Sequence, residues 1–353
     1  MIIESLAEEL VDIQIDNPYK VLGLIGLLTV LILPGALQVQ IKPSTEAILP
    51  QDDPVVESLD SLRAEFAGDT THVVIHDRRD VRTEEPMRKM LRIQNRVETS
   101  ENVLGSTSPA SMLKDRYGEI PETQSRLRQF NYRGTITSNH RTAVISFRAD
   151  TQAKSEEIRN LYNKVHRIAG SEKPGDEYYL TGYNIIDLAT FQVIINDFIT
   201  ITAVSFTAVL LVLYGVFRDI KRMLFPIAPV MLALIWMIGL GGYLGADLTI
   251  ISMVSAAMIM GLGIDFGIHV TKKYFNTDQG QEGITDTMTE LSRGLLGGSA
   301  TTSVGFLALL AANLTGMHSL GIFLFTGITS AYVGAVVLLP TLIIITENIN
   351  TEK

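Results

Sequence analysis

The segment GLGIDFGIHV, residues 261–270, places an aspartate inside an apolar run that begins near Thr249. A charged Asp at the bilayer centre costs roughly 2.5–3.5 kcal/mol on insertion scales, so an intramembrane acid is a functional residue by default. The chemistry open to Asp265 is uptake and release of a proton. Gly261, Asp265 and His269 are spaced by four and share one helical face. The glycines at 261, 263 and 267 reduce bulk around the carboxylate, and small residues let membrane helices approach closely. Downstream, GGSATTSVG (297–305) offers the hydroxyls of Ser299, Thr301, Thr302 and Ser303. If the two segments abut, one of these can donate to the carboxylate. The expected relay is Asp265, His269, Thr301 and Thr302, with Gly261, Gly263 and Gly267 packing around it. Competing structural readings are a permanently protonated acid bonded across helices, an interfacial His269, and hydroxyls that return to their own helix's carbonyls.

Positioning these groups needs membrane helices. The chain is 46% hydrophobic and only 19% charged, where soluble domains carry about 25% charged residues. About 20 apolar residues span a bilayer, and six such segments are read: 21–37, 199–217, 223–244, 248–270, 295–314 and 320–345. The stretch before the first, MIIESLAEELVDIQIDNPYK, is acidic where a cleaved signal needs a basic start. Residues 21–37 are therefore expected to stay as an anchor. Ile2, Ile3, Leu6, Leu10 and Ile13 suit an amphipathic helix on the membrane surface. Lys and Arg in short loops mark the cytoplasmic side. Arg218, Lys221, Arg222, Lys272, Lys273 and Arg293 lie in two alternate loops, whereas GAD (245–247) and NLTGMHS (313–319) have none. Both termini are thus expected in the cytoplasm of a multi-pass cell-membrane protein, and residues 38–195 outside. Asp247 is expected in solvent at the outer edge. Gly241–Gly242 and Gly297–Gly298 are expected as packing points, and Met258 and Met260 as core.

The organisation read is a leader (1–20), a first span (21–37), an external domain (38–195), a five-helix bundle (196–345) and a tail (346–353). Residues 38–195 carry 21 Lys+Arg against 23 Asp+Glu, the mixed surface of a folded domain, and about 150 residues can bury their own core. THVVIHD reads as a strand, EEPMRKMLRIQNRVET as a helix with Met87, Leu91 and Val97 inward, and VLGSTSPASML as a segment that begins as a strand. RGTITSNHRTAVISFRA reads as a hairpin around Ser138, Asn139 and His140. SEEIRNLYNKVHRIAG reads as a helix from Ser155 to Gly170, and DEYYLTGYNII as a last strand. With an inserted helix near 124–130, the order β-α-β-β-α-β predicts an α+β ferredoxin-like domain. Its histidines, His72, His76, His140 and His166, lack metal-ligand spacing. No cysteine occurs, which excludes disulfides and thiolate chemistry. A net charge of −9 without a basic run argues against nucleic acid.

One span, an external α/β domain and five further spans, with GLGIDFGIHV followed by Lys272, Lys273 and Tyr274, resembles the resistance-nodulation-division (RND) superfamily. The resemblance is to its MMPL and hopanoid-exporter branch, whose motif runs G-x-G-x-D-[YF]-x-x-H. It covers nearly the whole chain. It implies a non-enzymatic exporter of hydrophobic or amphiphilic molecules, lipid or drug-like, driven by a proton or a sodium ion, with Asp265 as the carrier. No cofactor and no metal are implied. Two departures stand out. Asp265 is followed by Phe266 where relatives often have Asp-Tyr or Asp-Asp, and there are six spans where most members have twelve. The half-length implies a homodimer of half-transporters. Two other readings share features: a protein-export accessory of the SecD/SecF kind, and a lipid-sensing membrane protein without transport.

Overall fold

The computed structural model describes residues 2–42, 45–50, 52–66, 69–100, 103–132, 134–149, 155–277 and 279–349. The helices and strands, in chain order, are α1 (Ile2–Asp16), α2 (Pro18–Ile32), α3 (Pro54–Phe66), β1 (Asp69–His76), α4 (Glu84–Glu98), β2 (Val103–Thr107), α5 (Pro109–Tyr117), α6 (Gln124–Gln129), β3 (Thr142–Ala149), α7 (Ser155–Glu172), β4 (Glu177–Gly182), α8 (Tyr183–Phe217), α9 (Ile220–Tyr243), α10 (Ser255–Asn276), α11 (Gln281–Leu307), α12 (Thr315–Val333) and α13 (Leu339–Thr346). The chain divides into two compact units, one of residues 1–51 with 193–353 and one of residues 52–192.

The smaller unit holds a four-stranded sheet in the order β2-β3-β1-β4, with antiparallel neighbours throughout. Alternation along β1 and β3 sends Val73, Ile75, Ala143, Ile145 and Phe147 to one face. There they meet Met87, Met90, Ile93 and Val97 of α4, and Leu161, Val165 and Ile168 of α7. Met87 and Val97 are inward as the sequence suggests, while Leu91 is only partly buried and Met90 and Ile93 fill the face. The proposed hairpin is shorter than expected. Its first arm makes one bridge, Ile136 to Ala143, and the chain reverses through His140 at φ 59°. The helix α7 runs past Gly170 to Glu172. After β2 the sequence turns into α5, whose start is fixed by a capping box at Ser108 with Pro109 in the first turn, and whose end is fixed by Gly118 at φ 82°.

Several helices are long and apolar enough to cross a membrane. Among the described residues there are six: Pro18–Gln38, Ile185–Phe217, Ile220–Tyr243, Ser252–Asn276, Gln281–Ala311 and Thr315–Thr346. Two begin earlier than their apolar cores suggest. The helix α8 follows β4 directly, and α11 opens with the polar stretch QEGITDTMTELSRG, which reads as loop by hydropathy alone.

Glycines set the closest contacts. Gly35, Gly239 and Gly242 bring the first span backbone-to-backbone against α9, where Trp236 Nε1 also donates to Thr29 Oγ1 at 2.9 Å. At Gly267 an added Cβ would lie 2.8 Å from Pro226 Cα of α9, and at Gly263 it would lie 3.0 Å from Ala331 Cβ of α12. Met260 is fully buried and Met258 partly so, both among apolar side chains. The span of α12 and α13 is interrupted by a π-helical turn, Gly334–Leu338.

The leader is a helix, but its inward face is not the one its isoleucines mark. Ala7, Val11, Gln14 and Ile15 are buried, with Val11 and Ile15 among Val270, Tyr274, Ile284, Met288 and Ile343, while Leu6 and Ile13 are exposed. The helix is thus docked on protein along one side. Asp247 also departs from expectation: it is ion-paired with Lys42 at 2.6 Å rather than free in solvent. Backbone bonds between Lys42 and Leu248 and between Leu248 and Gln40 tie the two segments together.

Candidate functional site

Asp265 and His269 lie one turn apart on the exposed side of α10. The helix is oriented by its opposite side, where Gly263 and Gly267 admit α12 and α9 and where Ile259, Met260, Ile264 and Val270 are buried. Facing Asp265 is a stretch of α11 whose residues recur at intervals of four: Glu290, Gly294, Gly298 and Thr302. Between them is a cavity of about 410 Å³. Asp265, His269, Glu290 and Thr302 supply its polar lining, and Leu262, Phe266, Leu291, Leu295 and Ile328 much of the apolar remainder. Phe266 is held edge-on by Tyr332, with ring centroids 6.5 Å apart and planes at 85°.

The site brings together three of the four expected relay residues, Asp265, His269 and Thr302. Thr301 is exposed and does not line the cavity. Its hydroxyl donates back to Gly297 O at 2.9 Å and Gly298 O at 3.1 Å, and that of Thr302 donates to Gly298 O at 2.8 Å. Ser303 meets Thr329 of α12 at 3.3 Å. These hydroxyls therefore have partners of their own, and among the described residues no side chain hydrogen-bonds the Asp265 carboxylate. Gly263 and Gly267 are packing glycines; Gly261 is not, since a Cβ there meets nothing within 4 Å. The same holds for Gly297 and Gly298, which leave the side of α11 bare rather than fitting a neighbour.

Glu290 was not singled out by hydropathy, because it falls in the polar opening of α11. The repeat of four from Glu290 through Gly294 and Gly298 to Thr302 is the signal that finds it. Its carboxylate is ion-paired to Lys273 of α10 at 2.5 Å. In α10 the same interval runs from Gly261 through Asp265 and His269 to Lys273. Two ladders therefore face each other and are joined at one end by the ion pair. Among the described residues no group of three His, Asp or Glu side chains is arranged to hold a metal ion.

Six membrane-length helices carry this arrangement, and the model of the MMPL family matches residues 47–349. The chain belongs to the MMPL family. Its members are membrane transporters of the RND type rather than enzymes, and the chain is a multi-pass membrane protein. A relative from Methanocaldococcus jannaschii, named as a membrane protein, is 25% identical over an alignment covering 98% of this chain and 95% of the relative.

Proposed function

We propose that this MMPL-family protein is a proton-driven exporter of hydrophobic or amphiphilic molecules, and that it works as a homodimer. The observation that carries the reading is Asp265: an acid within a membrane-spanning helix, opening onto a cavity with His269 one turn away. A proton moving down a potential of 100 mV supplies about 2.3 kcal/mol. Loading and release at Asp265 couples that energy to rocking of the helices, the usual motion of transporters built from repeats. The mostly apolar lining of the cavity suits an amphiphilic substrate.

Family members commonly carry twice this number of spans, and the exposed side of Asp265 favours a second copy as the missing half. A carboxyl facing hydrocarbon is costly. Beside it, Gly294, Gly297, Gly298 and Gly305 leave α11 bare, the surface on which membrane helices associate. A two-fold pair would place this face against its own image. The antiparallel order β4-β1-β3-β2 with helical crossovers supports a ferredoxin-like domain for residues 52–192. The basic loops favour placing it outside the cell, with both termini inside.

Asp265→Asn keeps the shape and removes the proton. Reconstituted in liposomes with an imposed pH gradient, the variant should remain folded and lose proton-coupled transport. Transport at the wild-type rate would exclude Asp265 as the carrier and favour a role without a proton cycle.

A further inference from the structure

We infer that Glu290 is a working member of the Asp265 site, the carboxylate at the basic-loop end of the cavity that exchanges the proton with Asp265, and that Lys273 holds it there. The inference deepens the proton-carrier reading and rests on it. Three observations converge. The Glu290 side chain lines the same cavity as Asp265 and His269. It stands at the foot of the α11 ladder, opposite the end of the α10 ladder. It is bonded across the two helices by Lys273 at 2.5 Å, with 65% of its side chain exposed. An inner carrier needs a partner that meets water, and a half-exposed carboxylate on the same cavity provides one.

The step balances simply. Protonated Asp265 gives up its proton and becomes a carboxylate. The proton passes through His269 or through water, for which a cavity of about 410 Å³ has room. Glu290 takes it, becomes neutral, and later releases it to bulk solvent. While Glu290 is neutral, Lys273 loses the charge that held it, so arrival of the proton loosens the link between α10 and α11. Among the described residues the charged groups at this space come from α10 and α11. Asp265 and His269 of α10 and Glu290 of α11 line it, Lys273 of α10 is ion-paired to Glu290, and Arg293, one turn beyond Glu290, interacts with Glu4 of α1. The helix α12 brings Ile328 to the lining, with Tyr332 behind Phe266.

The test uses the full chain in lipid nanodiscs and dicyclohexylcarbodiimide as the probe. A hydrophobic carbodiimide adds to a protonated carboxyl and leaves a stable acylurea, so the extent of modification at Asp265, located by mass spectrometry across a pH series, follows its protonation. In Glu290→Gln a negative neighbour is lost, and the midpoint at Asp265 should fall by on the order of half a pH unit. In Lys273→Met the Glu290 charge is left uncompensated, and the midpoint should rise. Glu290→Asp should stay near the wild type. Both Glu290→Gln and Lys273→Met break the same ion pair, so a merely structural link would move them in one direction. Shifts in the same direction, or no shift, overturn the role of Glu290 and leave that of Asp265 standing. Modification of wild-type Asp265 that does not depend on pH overturns the carrier reading itself.

Discussion

Gln14 Nε2 of the leader helix donates to Val336 O in the last span at 3.1 Å, inside the π-helical turn that precedes Pro340. Proline has no N–H, so Pro340 offers no donor to the carbonyls of the turn before it. The next carbonyl, Val337 O, receives Thr341 Oγ1 at 2.7 Å as well as Gln14 at 3.3 Å. The π-helical turn Gly334–Leu338 is thus completed from outside its own helix. Gln14 is fully buried, and its Oε1 has no partner among the described residues.

Gln14→Glu should be strongly destabilising. It points a carboxylate at two carbonyl oxygens in a buried place, and an uncompensated buried charge costs about 3–5 kcal/mol. The loss should shrink as the pH falls, because a protonated carboxyl can donate again. Gln14→Leu should cost less, since it removes the unpaired Oε1 together with the donor. Thermal unfolding in detergent at several pH values checks both; equal melting of the Glu and Leu variants at neutral pH would refute the assignment.

The glycines of the motif should separate by position. Gly267→Ala drives a Cβ into the Pro226 backbone, and overpacking of this kind costs about 1–3 kcal/mol. Gly261→Ala enters open space and should leave the melting temperature of the isolated chain unchanged or slightly raised. If both substitutions melt alike, the contact between α9 and α10 is not as described.

Orientation has a clean measurement because the chain has no cysteine. With an impermeant thiol reagent on intact cells, Asn139→Cys should be labelled and Gln279→Cys should not. The reverse pattern would invert the proposed topology, and with it the direction of proton flow.

Association should involve the bare side of α11. Gly297→Cys in the cysteine-free chain should cross-link between two copies under mild oxidation in membranes, and native mass spectrometry from nanodiscs should give a dimer. A monomer with full transport in discs that admit one copy would rule out the dimer and leave the Asp265 face to another partner.

The membrane helices and the acid were legible in the sequence because hydropathy and a lone carboxylate are strong local signals. The α4 face was legible for a similar reason, its apolar residues recurring at helical spacing. Three features were not. Hydropathy cut α11 short, since a helix that leaves the membrane becomes polar without ceasing to be helical, and Glu290 was lost with that part. The leader was read by its largest apolar residues, yet its inward face has Ala7 and Gln14 because closeness to α11 and a hydrogen bond to the last span decide the fit. The threonines looked like relay groups by composition. Their hydroxyls return to the carbonyls four residues back, a competition that sequence spacing cannot resolve.

The bond between Gln14 and Val336 joins residues 322 positions apart. In a chain made from its N-terminus, the leader is complete long before its acceptor exists. Throughout synthesis of the intervening spans, Val11, Gln14 and Ile15 have no finished surface to bury against. Contacts this distant in sequence close late, and exposed apolar segments are where chaperones and proteases act on unfinished proteins. The Gln14 bond therefore reports completion: once it is made, the last span has been made and has taken its place.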